Sequence, residues 1–114
     1  MTSPRDASVK DDKGDILIVD DTPDNLRLLS AMLGRHQLRV RKALTGQWAI
    51  AAAQVAPPDL ILLDIKMPEM SGYEVCERLK ADPATQAIPI IFISALDDAI
   101  DKVKAFAAGG ADYI

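Results

Sequence analysis

The chain has 114 residues, of which 49% are hydrophobic and 26% are charged, a balance typical of one globular domain. The formal net charge of −4 gives no reason to expect nucleic-acid binding, which requires concentrated Lys and Arg. Cys76 is the only cysteine, which excludes an intrachain disulfide and a cysteine-rich metal site. The sequence has neither a transmembrane-length apolar run nor an apolar signal-peptide core, so a cytoplasmic location is the default expectation.

The first 13 or so residues are polar, charged and without periodicity, and they are interpreted as a flexible leader before a domain at 14–114. Within that domain, apolar runs alternate with helical segments. The predicted strands cover about 16–20, 38–43, 60–63, 90–93 and 111–114, and the predicted helices about 23–33, 46–56, 73–80 and 98–108. This alternation predicts an α/β fold with a parallel sheet.

Capping residues give the expected helix boundaries. Thr22 or Asp21 is expected to cap the first helix, with Pro23 in its first turn, and Gly34 is expected to end it. Thr45 is expected to cap the second helix. The basic residues around the second strand are interpreted as a solvated strand edge rather than a binding patch: Arg35, Arg39, Arg41 and Lys42.

Three of the predicted strands end in small oxygen-bearing residues. The run ILIVDD ends at Asp20 and Asp21, DLILLD ends at Asp64, and IPIIFIS ends at Ser94. Continuous apolar runs of this length indicate strands buried on both faces, as in parallel sheets. Because parallel strands place their carboxyl ends along one edge, where ligands bind in open α/β sheets, three carboxylates and one hydroxyl should meet there.

A divalent cation is the expected companion of these carboxylates. Each acidic residue taken alone has an ordinary structural explanation, as a helix cap or a turn residue. Together, however, the carboxylates would repel one another unless a cation lay among them, and Mg²⁺ prefers oxygen ligands of this kind. Zinc is not expected, because His36 lies at the end of the first helix and Cys76 lies on another helix.

The stretches ILIVDDTPDN, PDLILLDIKMPEMSGYEVCERLK, IPIIFISA and AGGADYI resemble, in order and spacing, the response-regulator receiver domain of two-component signalling, in the CheY-like superfamily. The resemblance covers about residues 15–114. It implies a flavodoxin-like (βα)5 three-layer sandwich, with a five-stranded parallel sheet of order 2-1-3-4-5 between helices.

The resemblance also implies roles for the acidic residues. Asp64 would be the phosphoacceptor, taking a phosphoryl group from a phosphohistidine on a sensor histidine kinase or phosphotransfer protein. Asp21, Asp64 and the backbone carbonyl of Lys66 would bind Mg²⁺ directly, and Asp20 would act through a water molecule.

Two further residues match the family's switch elements. Ser94 would donate a hydrogen bond to a phosphoryl oxygen, and Tyr113 matches the aromatic residue whose position reports activation. The resulting change would control an output domain in the same chain or a partner protein.

The sequence departs from the family pattern in two ways. The family's Lys at the end of strand five and its last helix are missing, so the chain is expected to be a fragment with an uncovered apolar face on strands three to five and a tendency to self-associate. Lys66 follows the phosphoacceptor by two residues, and its ammonium could reach over the acidic site or point into solvent.

Three functions therefore remain open. The leading one is a phosphoaccepting signalling switch rather than a turnover enzyme. The second is a receiver-like interaction module that works without phosphorylation. The third is a Mg²⁺-dependent aspartyl phosphohydrolase, but that family requires a second Asp where this chain has Lys66.

Overall fold

The computed structural model of the chain describes residues 14–93, in which four strands alternate with three helices. The elements are β1 (Asp15–Val19), α1 (Pro23–Arg35), β2 (Arg39–Ala43), α2 (Gly46–Val55), β3 (Leu60–Asp64), α3 (Gly72–Lys80) and β4 (Ile90–Ile93). The predicted alternation is confirmed over this range. The leader, the predicted fourth helix at 98–108 and the predicted fifth strand at 111–114 lie outside the described residues. Between residues 14 and 93, no helix is both long and apolar enough to cross a membrane.

The strands form one parallel sheet of order β2-β1-β3-β4, as the resemblance implied for these four strands. Ile16 of β1 pairs with Val40 on one side and with Leu60 on the other. The chain therefore leaves β1 in one direction across the sheet and later returns to its other side. Such a reversal of strand order opens a crevice at the carboxyl ends of the two central strands.

Side chains of the strands alternate between two apolar layers, which explains the continuous apolar runs in the sequence. On one face α1 contributes Leu26, Leu29 and Leu33 to a core with Ile16, Ile18, Leu60, Leu62, Ile91 and Ile93. On the other face α2 and α3 contribute Ala49, Ala53, Val75 and Leu79 to a core with Leu17, Val19, Ile61, Leu63 and Ile90. The described domain is thus a three-layer sandwich.

The expectation of an uncovered apolar face is wrong for β3 and β4. Leu60, Leu62, Ile91 and Ile93 have exposed fractions of 1%, 0%, 1% and 3%. These side chains belong to the same buried core cluster as the leucines of α1. The expected self-association therefore has no support from these two strands.

The end of α1 also differs from the prediction. Gly34 lies inside the last helical turn, and the left-handed conformation after the helix is adopted by Gln37, with φ of 63°. The amide of Leu38 donates to the carbonyl of Leu33 at 3.2 Å, which closes the helix end. At the other end Thr22 occupies the N-cap position, but its side chain makes no capping hydrogen bond. Pro23 lies in the first turn as predicted.

Arg41 has a structural role that the interpretation of a solvated strand edge did not include. Its Nε lies 3.2 Å from Oδ1 of Asp15 on the neighbouring strand. Its Nη2 donates to the carbonyl of Ala56 at 2.6 Å, where α2 ends. A cation at a helix C-terminus pairs favourably with the unsatisfied carbonyls there, so Arg41 joins β1, β2 and α2.

Candidate metal centre at the carboxyl edge of the sheet

The structure brings three acidic side chains together at the crevice between β1 and β3. Val19 pairs with Leu63, so the residues that follow, Asp20 and Asp64, lie side by side at the edge of the sheet. One carboxylate oxygen from each of Asp20, Asp21 and Asp64 lies within 4.8 Å of the others. Of the other three predicted site residues, Lys66 lies on the loop after β3, and Ser94 and Tyr113 lie outside the described range.

Asp20 is the buried member of the cluster, with an exposed fraction of 4%. Its Oδ1 accepts the amide hydrogen of Thr22 at 2.9 Å, and its Oδ2 accepts from Nδ2 of Asn25 at 3.2 Å. Its own amide donates to the carbonyl of Ala43 at the end of β2, at 3.1 Å. Both carboxylate oxygens are therefore held by hydrogen bonds within the chain. This fixed orientation suits a residue that positions the site, rather than a residue that moves when a ligand binds.

Asn25 is a site residue that sequence reasoning missed. It lies in the first turns of α1, five residues after Asp20, and its side-chain amide reaches back to that carboxylate. The sequence signal for this contact is the stretch DDTPDN. Because Pro23 begins a helix directly after the acidic pair, the first helical turns bring the next polar side chains back towards Asp20.

The loop after Asp64 is held against the sheet by backbone contacts. The amide of Ile65 donates to the carbonyl of Ile93 at 3.3 Å, and the amide of Gly72 donates to the carbonyl of Ile65 at 2.9 Å. A Cβ atom on Gly72 would lie only 2.3 Å from the backbone oxygen of Asp64. Between these contacts Glu69 adopts the left-handed conformation, with φ of 70°. The start of α3 thus fixes the backbone at Asp64.

A capping box anchors the start of α3. The amide of Glu74 donates to Oγ of Ser71 at 3.3 Å, and Oε1 of Glu74 accepts the amide hydrogen of Ser71 at 3.4 Å. The helix begins at Gly72, one residue before the predicted start at Tyr73. The pattern Ser-x-x-Glu in the sequence is the signature of this cap and would have given the correct boundary.

The electrostatics of the cluster act mainly on Asp64. Partial burial, followed by repulsion from Asp20 and Asp21, raises the pKa of Asp64 from 3.8 to about 6. The backbone N–H groups of Lys66 and Ile65 act in the opposite direction and lower this pKa. The charged form of Asp64 is therefore under-stabilised by the protein alone, and a cation between the carboxylates would relieve that deficit.

The donor set fits a hard divalent cation such as Mg²⁺. Among the described residues the cluster consists of carboxylates alone, and it includes neither His nor Cys. Ligands on opposite sides of Mg²⁺ lie about 4 Å apart, which is close to the 4.8 Å span of the three oxygens. Asp21 is exposed and Asp64 is half-buried, so both can reach an ion from solvent. The Lys66 side chain, on the adjoining loop, is also exposed.

The raised pKa of Asp64 predicts that the metal-free protein becomes less stable as the pH rises. The unfolded chain releases this proton near 3.8 and the folded chain near 6, so the stabilisation is fully present below the first value and is lost above the second. Because solvent screens a half-buried group, we expect the contribution of Asp64 to the free energy of unfolding to fall by about 1 kcal/mol between about pH 4 and about pH 6.

Urea denaturation in the presence of EDTA measures this difference. Asp64→Asn removes the titrating group and should flatten the pH dependence by the same amount. An Asp64→Asn variant with the wild-type pH dependence would contradict the assignment of the shift to this carboxyl.

Comparison with known proteins places this chain in a family. The family model of the response regulator receiver domain matches residues 16–114. The chain is 43% identical over 99 residues to Response regulator PleD of Caulobacter vibrioides, a match that covers 87% of this chain and 22% of PleD. It is 40% identical over 99 residues to Protein PilH of Pseudomonas aeruginosa, which covers 87% of this chain and 82% of PilH. The chain therefore spans about a fifth of PleD but most of PilH.

A solved structure agrees with the sequence matches. The N-terminal domain of a response regulator receiver protein from Methanoculleus marisnigri superposes with a TM-score of 0.71 at 35% identity, covering 83% of this chain and 78% of that chain. The fold and the order of its strands are therefore shared features. This chain belongs to the family of response regulator receiver domains, the signalling modules of two-component systems.

Proposed function

We propose that the domain accepts a phosphoryl group on the carboxylate of Asp64 and thereby acts as the switch of a phosphorelay. Mg²⁺ would be held by Asp21, Asp64 and the backbone carbonyl of Lys66, with Asp20 acting through a water molecule. The observation that carries the proposal is the cluster of three carboxylates within 4.8 Å, in which Asp64 has a raised pKa. A carboxylate that is only half-buried beside two other acids is open both to a cation and to a phosphodonor.

Phosphoryl transfer requires a nucleophile and groups that neutralise the negative charge on the oxygens of the transferred phosphoryl group. An oxygen of Asp64 forms the new P–O bond while the bond between phosphorus and the donor's leaving group breaks, which leaves an aspartyl phosphate. Mg²⁺, when bound, neutralises charge on the phosphoryl oxygens. The chain's own part is alignment. Asp20 is held by Thr22 and Asn25, and the Asp64 backbone is held by Gly72.

Several parts of the proposal rest on the family resemblance. They are a hydrogen bond from Ser94 to a phosphoryl oxygen, a switch movement of Tyr113, a domain that covers residues 14–114, and control of an output domain or partner protein. The donor would be a phosphohistidine on a sensor kinase or a phosphotransfer protein. A phosphoryl group adds about −1.5 to −2 of charge, which is enough to bias a two-state element near Asp64.

Labelling with a small phosphodonor tests the proposal. Incubation of the protein with acetyl phosphate and Mg²⁺ should add one phosphoryl group per chain, stable in acid and labile in base, and EDTA should prevent the addition. Intact mass and fragment spectra after borohydride reduction should locate the group at Asp64. A label that forms equally well in EDTA, or that maps to a hydroxyl side chain, would overturn the proposal.

A further inference from the structure

An apolar groove with two cations lies next to the acidic cluster, on the side of β2. It has a volume of about 320 Å³ and is formed by the start of α1, the end of β2 and the start of α2, through Pro23, Leu26, Arg27, Lys42, Leu44 and Trp48. Trp48 is 58% exposed and Leu44 is 37% exposed. Large apolar side chains left open to water beside charged ones are typical of protein–protein contacts, in which Trp is a frequent anchor.

The shape and charge of the groove restrict what can occupy it. Small-molecule sites bury about 70–90% of a ligand, but a groove whose Trp48 wall is more than half exposed cannot enclose a ligand to that degree. A nucleic acid is disfavoured because it needs a row of cations along its phosphates, whereas this groove has two cations, of which Arg27 is paired with Asp24. A protein segment with apolar side chains and a few carboxylates fits both the open shape of the groove and its charge.

The walls of the groove connect directly to the acidic cluster. Pro23 stands two residues after Asp21 in the sequence. Ala43, which lies between the wall residues Lys42 and Leu44 in sequence, accepts the amide hydrogen of Asp20 at 3.1 Å. A partner in the groove would therefore rest on the backbone segments that carry two of the three carboxylates.

The third wall reaches the loop that follows Asp64. Gly46, between Leu44 and Trp48, packs so closely that a Cβ there would lie 2.6 Å from Cγ2 of Val75 and 2.9 Å from Sδ of Met70. Met70 belongs to the loop between β3 and α3. The start of α2 thus links the groove to the same loop that positions Asp64.

We propose that this groove docks an amphipathic helix of a partner protein. Apolar side chains of that helix pack against Leu44 and Trp48, and a carboxylate of the helix pairs with Lys42 from β2, because Arg27 from α1 is already paired with Asp24. Charge complementarity selects this occupant, since the cation Lys42 lines the groove together with apolar residues, and an amphipathic helix can present a carboxylate and an apolar side chain one turn apart. The docking itself does not depend on the proposed phosphorylation of Asp64.

Selection from a display library of helical peptides tests the proposal with the whole chain as the target. The enriched peptides should carry Leu, Ile or Phe at helical spacing together with Asp or Glu. A synthetic peptide of the enriched sequence, titrated against the protein, should lose affinity by about tenfold or more with either Trp48→Ala or Lys42→Glu. Val55→Ala is the matched control, because Val55 is 86% exposed and lies at the C-terminal end of α2, the helix that carries Trp48 near its start.

The outcomes separate docking from the phosphorylation proposed above. Neither Trp48 nor Lys42 belongs to the acidic cluster, so Asp64 labelling by acetyl phosphate in both variants should stay within about twofold of wild type. Equal peptide affinity of Trp48→Ala, Lys42→Glu and Val55→Ala would overturn the docking proposal. It would leave the proposed phosphorylation of Asp64 unaffected. Enrichment of basic peptides, the absence of any enriched peptide, or tighter binding of a single-stranded oligonucleotide would also overturn it.

Discussion

Asp64→Asn is expected to abolish phosphoryl labelling while leaving the fold intact. The amide is nearly isosteric with the carboxylate, but it is neither a nucleophile nor a strong ligand for Mg²⁺. Removing one of three like charges within 4.8 Å also relieves repulsion on Asp20 and Asp21. The metal-free variant should therefore be at least as stable as wild type near neutral pH, so a loss of labelling cannot come from unfolding.

The measurement is the mass increment after acetyl phosphate treatment, with urea denaturation of the same preparation as the test of folding. Asp24→Asn is the matched control, because Asp24 is an exposed carboxylate on α1 that pairs with Arg27 rather than with the cluster. It should label like wild type. Asp21→Asn should raise the Mg²⁺ concentration needed for labelling. Labelling of Asp64→Asn at the wild-type level would move the acceptor to another side chain.

The convergence of Asp20, Asp21 and Asp64 could be predicted from the sequence, because it depends on one rule of parallel sheets. Asp20 and Asp21 follow β1 and Asp64 is the last residue of β3, and both strands are apolar on both faces and end at the same edge of the parallel sheet. The adjacency of β1 and β3 did not follow from the residues themselves. It came from the family resemblance, and the register of Val19 with Leu63 then shows why Asp20 and Asp64 are neighbours.

Contacts that depend on one local conformation or on a distant carbonyl could not be predicted. The left-handed residue after α1 is Gln37 rather than the more permissive Gly34, because the chain must turn where Leu38 enters the core. Arg41 and Ala56 are fifteen residues apart in sequence, and their contact exists only because α2 ends beside β2. No sequence periodicity records such a contact.

Gly72→Ala is expected to lower stability more than the same change at Gly34 or Gly46. The added Cβ would lie 2.3 Å from the backbone oxygen of Asp64, 3.0 Å from Cα of Ile65 and 3.1 Å from the backbone carbon of Asp64. All three are backbone atoms, so no side-chain rotation can relieve the overlap. Helix propensity favours Ala over Gly by about 1 kcal/mol, whereas overpacking against a backbone that cannot yield costs about 3 kcal/mol. The overlap therefore outweighs the propensity, and the backbone at Asp64 should also be displaced.

Gly34→Ala is the matched control, because it adds the same methyl group to a helical glycine with no atom within 4 Å of the new Cβ. That substitution should raise the free energy of unfolding by about 0.5–1 kcal/mol. Gly46→Ala should fall between the two, because its closest contacts are side-chain atoms of Val75 and Met70, and the Met70 side chain is flexible. Urea denaturation of the three variants gives the order of their free energies of unfolding. Mg²⁺ titration of Gly72→Ala shows whether the acidic cluster is displaced. If Gly72→Ala were as stable as Gly34→Ala, the close approach of α3 to Asp64 would not hold the loop, and the alignment of Asp64 would have to come from the hydrogen bond of Ile65 to Ile93 alone.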